Sequence, residues 1–424
     1  AARTAKYSGS ATTRTTTTPP WWRHSGAVYR SFIYPSSSSG MDYAVLVSRG
    51  KYLQLSKNAK KESGFVNDKG CYKFEFFRLS ARRFGVMNDY HFGDTNCGSQ
   101  ASVVDKLINL QKRPEFIVMP GDLLDCPTAP AGDGNPLHFP AVRDIWGNLI
   151  DGLEEQSIPV ADGLGNHDLW TGFGGENVKG DIQQRNKKRI AEGSLFHPYG
   201  ISTADNAANY GNKGYHYTWF FPLKKNGKKV LVAFFMLNNL PGNANRTDPG
   251  DTGHGHDEGT YAFGALDYLK ASMQTMACMP DYDYKVGIPM FHINYGCDVN
   301  GDTYGNPERW WTYADKKALK DVLDKAPIKI VTAFFGHEHV RSIEKQTLYI
   351  GDRKDPANKT GYSGYRCACS IDKPRLNIID LELVEENGGC KIKITPRFIE
   401  VAKLTSTDDC LPMIKEELQS CIEL

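Results

Sequence analysis

Residues 328–339 read IKIVTAFFGHEH. An apolar, β-branched and aromatic run stops at Gly336 and releases two histidines, His337 and His339. A short continuous apolar run bounded by a turn residue is the pattern of a strand buried on both faces, and glycine permits a sharp exit from it. The same arrangement recurs upstream. Phe84 to Met87 is followed by Asp89-Tyr-His91, and Phe116 to Met119 by Gly121-Asp122. Ile158 to Ala161 leads into Gly165-Asn166-His167-Asp168, and Val286 to Phe291 delivers His292. Val230 to Leu237 is a further apolar run. Between these runs, apolar residues at three- and four-residue spacing predict helices over Ala101 to Gln111, Val142 to Gln156, Ile182 to Glu192, Gly264 to Met276 and Tyr313 to Lys325. Buried strands alternating with helices define an α/β sheet with helices on its faces. Ligand sites in such sheets lie beyond the carboxyl ends of the strands, so five strand ends rich in Asp, Asn and His are expected to converge on one place.

Composition bounds the rest. The chain has 424 residues, with Lys+Arg 51 against Asp+Glu 49 and a formal charge of +2. No global attraction for nucleic acid or an anionic membrane follows from that total, which leaves a nucleic-acid partner only a local groove. The longest uninterrupted apolar run, Val230 to Leu237, falls far short of the roughly 20 residues a spanning helix needs, so the chain is expected to be soluble. At 24% charged and 11% aromatic it is too apolar to be disordered throughout.

Residues 1–42 stand apart as a Thr/Ser/Pro-rich arm. ATTRTTTTPP over 11–20 and SSSSG over 36–40 cannot pack a core alone, while Trp21, Trp22, Tyr29, Phe32 and Tyr34 between them look like anchors. Such an arm is expected to be pinned on its own domain or on a second copy, which would make a homo-oligomer or filament through residues 1–40. The main domain is expected over 43–345, with its motif-bearing core at 82–341. Tyr43 to Val47 and Tyr72 to Leu79 open it as short strands. Residues 346–424 form a C-terminal β-hairpin extension and tail: LNIIDLELV and CKIKITPRF alternate around Asn387-Gly388-Gly389.

The order Asp-x-His, Gly-Asp, Gly-Asn-His-Asp, His, Gly-His-x-His resembles the calcineurin-like metallophosphoesterase family over Arg82 to Arg341. The resemblance implies a β-sandwich of mixed sheets flanked by helices, carrying the N-terminal arm and the C-terminal β-rich extension. It implies a first metal held by Asp89, His91 and His339, a second held by Asn166, His292 and His337, and Asp122 bridging both. Imidazole and carboxylate suit Zn, Fe or Mn, and paired ions in two-metal hydrolases lie about 3.5–4 Å apart. Two divalent ions bring about +4, two carboxylates and a bridging hydroxide remove three, and the site stays about +1, suited to a phosphate ester. The metal-bridging hydroxide would be the nucleophile, generated near neutral pH because the ions lower the pKa of bound water. His167 would face the substrate and donate to the leaving group or a phosphoryl oxygen, with Asp168 orienting it.

The pattern departs from two branches of the family. Protein Ser/Thr phosphatases carry an Arg soon after Gly-Asp, and a Gly-Asn-His-Glu motif; this chain has GDLLDCP and GNHD. Purple acid phosphatases lack the first-motif His and use a Tyr where Asp125 stands. The expected activity is therefore a secreted, dinuclear metal-dependent phosphoric ester hydrolase, acting on monoesters or diesters. The alternative is a structural subunit of an extracellular filament or homo-oligomer that reuses the fold.

Other features are weaker. TGHGHDEG over 252–259 puts His254, His256 and Asp257 on a loop that would touch substrate or a third metal, or be a solvated glycine-rich loop. Asp298, Asn300 and Asp302 alternate like a calcium loop, although Arg309 occupies the place of its closing acid. Trp310 and Trp311 read as core aromatics or as a stacking platform. Ten cysteines, an initial Ala and the sequons at Asn245 and Asn358 suggest a processed, glycosylated, extracellular chain; the alternative is a cytosolic protein with reduced thiols. Cys97, Cys126 and Cys297 closely follow His91, Asp122 and His292, and are expected to form disulfides that staple the rim loops. Cys367 and Cys369, facing one side of a strand, are each expected to bond elsewhere.

Overall fold

The computed structural model describes residues 80–91, 100–110, 112–123, 149–156, 158–163, 165, 216–237, 265–295, 313–351, 353–386, 388–406 and 411–424, together with the backbone of five short strands nearer the N-terminus. Of those five, β1 (Arg23–His24) pairs with β2 (Ala27–Val28), while β3 (Arg30–Tyr34), β4 (Tyr43–Val47) and β5 (Phe76–Arg78) form a three-stranded antiparallel sheet.

The main body then runs, in chain order, through β6 (Ala81–Val86), α1 (Gln100–Ile108), β7 (Ile117–Met119), α2 (Asp151–Glu155) and β8 (Val160–Asp162). It continues with β9 (Tyr217–Lys225), β10 (Lys228–Met236), α3 (Ala265–Ala277), β11 (Tyr284–Met290) and α4 (Tyr313–Asp324). The last stretch holds β12 (Lys329–Ile330), β13 (Phe334–Phe335), β14 (Glu344–Tyr349), β15 (Lys359–Arg366), β16 (Arg375–Glu386), β17 (Gly389–Glu400) and β18 (Ser420–Glu423). These make two mixed sheets. One has the order β18-β17-β16-β6-β7-β8, the other β14-β15-β13-β11-β10-β9 with β12 also on β11. In the first, β6, β7 and β8 are parallel; in the second, β10, β11, β13 and β15 are. The hairpin expected around Asn387-Gly388-Gly389 is β16–β17, and it lies inside the first sheet because β16 pairs antiparallel with β6.

The two sheets face each other across an aromatic core. Phe84 of β6 meets Phe234 of β10 and Phe334 of β13 edge-on, with centroids 5.4 and 5.5 Å apart, and Phe116 meets Trp219 at 5.9 Å. Alternation along β10 explains how one strand serves two layers. Val230, Val232, Phe234 and Met236 join the inter-sheet core, while Leu231, Ala233, Phe235 and Leu237 pack on the helix side. Helix α3 supplies that cover with a stripe of Leu266, Leu269, Met273 and Met276. On the other sheet, Val103 and Leu107 of α1 belong to the same apolar layer as Val401 and Leu404.

The run at 328–335 forms two short strands rather than one, and its neighbour gives the reason. Gly287 accepts from Val331 N at 3.1 Å and Phe291 N donates to Phe334 at 3.2 Å, so odd residues of β11 face this side. Pro289 lies between them and has no N–H to offer, and the partner leaves the ladder there. Among the described residues no helix is long and apolar enough to cross a membrane.

Candidate metal centre

Asp89, Asp122, Gly165, His292 and Gly336 each follow the carboxyl end of a parallel strand: β6, β7, β8, β11 and β13. Because β6 to β8 belong to one sheet and β11 and β13 to the other, the turns meet where the two sheets open. They are tied directly to one another. Asp89 N donates to Gly121 at 3.2 Å, His91 N to Asp122 at 3.0 Å, and Gly336 N to His292 at 3.1 Å. The His337 N–H donates to Asp89 Oδ1 at 2.8 Å, which links the first motif to the last.

The backbone there is strained. Asp89, His91, Asp122, His337 and His339 have φ of 47°, 46°, 49°, 77° and 39°, in the left-handed region that non-glycine residues seldom enter. Asn226 and Asp281 are the other such residues among those described. Left-handed backbone at five Asp and His residues clustered beside the strand ends is the kind of strain that persists only where surrounding structure enforces it.

The side chains form two groups that share one carboxylate. Asp89, His91, Asp122 and His339 offer ligand atoms within 4.8 Å of one another, and so do Asp122, His292 and His337. Asp122 Oδ2 is 3.0 Å from His292 Nε2 and 3.5 Å from His91 Nε2. His337 Nδ1 is 3.2 Å from His292 Nε2, and Asp89 Oδ1 is 3.9 Å from both His292 Nδ1 and His339 Nε2. Asp89 and Asp122 are buried, at 0% and 1% exposure. Atoms bound to one ion at about 2.0–2.3 Å lie at most about 4–4.6 Å apart, so each group could close on a cation with small adjustments. Two buried carboxylates among four imidazoles suit a divalent ion, since buried charge must be compensated. His339 is held below its ordinary pKa, first by burial and also by His91 and His292, against the pull of Asp89 and Asp122. Its ring is therefore disposed to the neutral form that ligates.

Two glycines are cut to this site. A side chain at Gly165 would strike the carboxylate and amide of Asp122, and a Cβ at Gly336 would lie 2.5 Å from Asp89 Oδ2.

Of the expected site residues, Asp89, His91, Asp122, His292, His337 and His339 come together. Asn166, His167 and Asp168, the loop of His254, His256 and Asp257, the Asp298, Asn300 and Asp302 motif, Trp310, Trp311 and Asn245 lie outside the described residues, as do Cys97, Cys126 and Cys297. Asn358 closes a short 3₁₀ turn, Pro356–Asn358, and its sequon Thr360 is buried with its hydroxyl donating to Leu348 at 2.7 Å.

One expectation is corrected. Cys367 and Cys369 are free thiols, as are Cys278, Cys390 and Cys421. Both lie just beyond β15 and are buried, and burial, with Asp89 adding to it, raises the pKa of Cys367 well above its usual value and that of Cys369 to about 11. Their backbone is what the site uses: Cys367 N donates to Phe335 at 2.9 Å, Cys369 N to Val340 at 2.8 Å, and Ser370 N to Asn88 at 2.9 Å. This segment passes from the second sheet to the first, where Asn88 and Cys369 form a parallel bridge.

Sequence reading missed the groups that brace the turns. Asn294 Nδ2 donates to Gly336 at 3.0 Å. Arg366 forks between Glu338, inside the Gly-His-Glu-His turn, and Glu344. Asn88 donates to Asp89 Oδ2. Their adjacency to motif residues was visible for Asn88 and Asn294; Arg366 carries no local signal.

No family model matches this sequence, and no curated protein matches it. The chain is similar to a solved structure described as PhoD, with a TM-score of 0.42 and 9% identity over 90% of this chain and 74% of that one.

Proposed function

We propose that the chain is a dinuclear metal-dependent phosphoric ester hydrolase of the calcineurin-like metallophosphoesterase kind. The observation that carries this reading is the sharing of Asp122 between two ligand groups, one with Asp89, His91 and His339 and one with His292 and His337. Two divalent ions would supply Lewis acidity toward phosphoryl oxygens and lower the pKa of coordinated water. The chain's residues do the rest. Asp89 and Asp122 neutralise only part of the ions' charge, which leaves the site attractive to a phosphate ester. Asn166 follows Gly165, whose bare Cα lies against Asp122, and an amide oxygen there would complete the second group without adding negative charge. His167 would hold a proton for the leaving oxygen, with Asp168 as its orienting partner. Zn, Fe or Mn fits this donor set better than Ca, which prefers an all-oxygen shell.

The test is hydrolysis of p-nitrophenyl phosphate and bis(p-nitrophenyl) phosphate by the metal-reconstituted chain and by Asp122→Ala and His167→Ala. The reading expects turnover that both variants abolish. Unchanged turnover in both variants, or none in the reconstituted parent, would overturn it.

A further inference from the structure

Asn88 is fully buried between β6 and the ligand Asp89, and its backbone is fixed by the segment that joins the two sheets, through the bridge to Cys369 and the hydrogen bond from Ser370 N at 2.9 Å. Its side-chain Nδ2 donates to Asp89 Oδ2 and reaches the carbonyl of Cys367 at 3.4 Å. The amide orientation follows from chemistry, since exchanging its ends would set Oδ1 against a carboxylate oxygen. The two oxygens of Asp89 therefore have separate roles. Oδ2 is held by Asn88, while Oδ1 accepts from His337 N at 2.8 Å and faces His292 and His339. Gly336 makes room for the pair, because a Cβ there would lie 2.6 Å from Asn88 Nδ2 and 2.5 Å from Asp89 Oδ2.

We infer that Asn88 is a positioning residue for the first metal: by occupying Oδ2 it makes Asp89 a one-oxygen ligand and sets the direction in which Oδ1 points. This rests on the dinuclear reading above. Asn88 would act through Asp89, the residue its amide holds. Its amide spans the first motif and the segment that joins the two sheets, so it registers Asp89 against the His337 turn. Partners that orient a ligand in this way are typically worth 10–100-fold in metal affinity.

The full-length chain, stripped and reloaded with Mn²⁺ alone, tests it by metal content and electron paramagnetic resonance. The parent should bind two Mn²⁺ with a spin-coupled spectrum. Asn88→Asp, which keeps the volume and loses the donor, should weaken one of the two sites by about 10–100-fold. At limiting Mn²⁺ its spectrum should become that of isolated ions. Asn88→Ser, which restores a short donor, should recover part of the coupling. Leu383→Ala, in the core between the sheets, should lower the melting temperature and leave both sites intact. If Asn88→Asp does not fold, the Asn88→Ser and Asn88→Ala pair decides, with Ala the weaker binder. Two equally tight Mn²⁺ sites in the parent and in the Asp or Ala variant would overturn the assignment alone. A parent that binds no Mn²⁺ would overturn the dinuclear reading and the assignment with it.

Discussion

His292 Nε2 lies 3.0 Å from Asp122 Oδ2, although the two residues leave strands of different sheets, β11 and β7. The contact exists because both sheets present the carboxyl ends of parallel strands at the same edge of the sandwich. Asp122 is thereby available to ligand groups on both sides.

Replacing Asp122 with Asn keeps the shape and removes the shared charge. Both metal sites should weaken, by more than the roughly 10–100-fold that follows loss of an outer partner. Calorimetric titration of Mn²⁺ into the stripped protein measures this; one site lost and the other untouched would contradict the sharing.

Gly165→Ala places a methyl group against the Asp122 carboxylate and amide. Metal content should fall and phosphoester turnover should drop by roughly the same 10–100-fold factor, with circular dichroism unchanged. Full metal content in this variant would mean that the β8 turn does not close on Asp122.

Phe234 is fully buried and contacts the rings of Phe84, Phe116, Trp219 and Phe221. Truncation to Ala should destabilise the fold by about 3–5 kcal/mol, the usual range for a buried aromatic. Denaturant unfolding should show a lower midpoint at an unchanged slope. A loss under about 1 kcal/mol would be incompatible with a core shared by both sheets.

Asp372 is held below its usual pKa of 3.8, first by its hydrogen bond from Arg375, whose guanidinium also donates to Cys369 O at 2.8 Å. A depressed carboxyl pKa contributes stability that is present above pH 3.8 and is lost as pH falls through the folded-state value. The parent should therefore lose more stability than Asp372→Asn when acidified below about pH 4. Melting curves at pH 3 to 6 check this; parallel acid limbs would remove the pair from the account.

The site was the most legible part of the sequence. Apolar runs ending in Gly, Asp and His became strands β6, β7, β8, β11 and β13, and the ligand residues after them converge. Helices α1, α3 and α4 fall where three- and four-residue spacing put them, because their apolar faces cover sheets that bury both sides. Strand β9 was missed: TWFFPLKK carries Pro222, which argues against a strand but is tolerated at a sheet edge, where β9 lies. Strands β14 and β15 were missed for a different reason, since EKQTLY and KTGYSGYR are half-exposed and polar and are held by their neighbours rather than by their own pattern. The split at Pro289 and the bracing of Asp89 by Asn88 depend on residues far apart in sequence, which no local reading connects.

Crystals grown with Mn²⁺ and measured by anomalous scattering should show two peaks flanking Asp122, about 3.5–4 Å apart, one within bonding distance of Asp89, His91 and His339 and the other of His292 and His337. A single peak, or peaks away from Asp122, would contradict it.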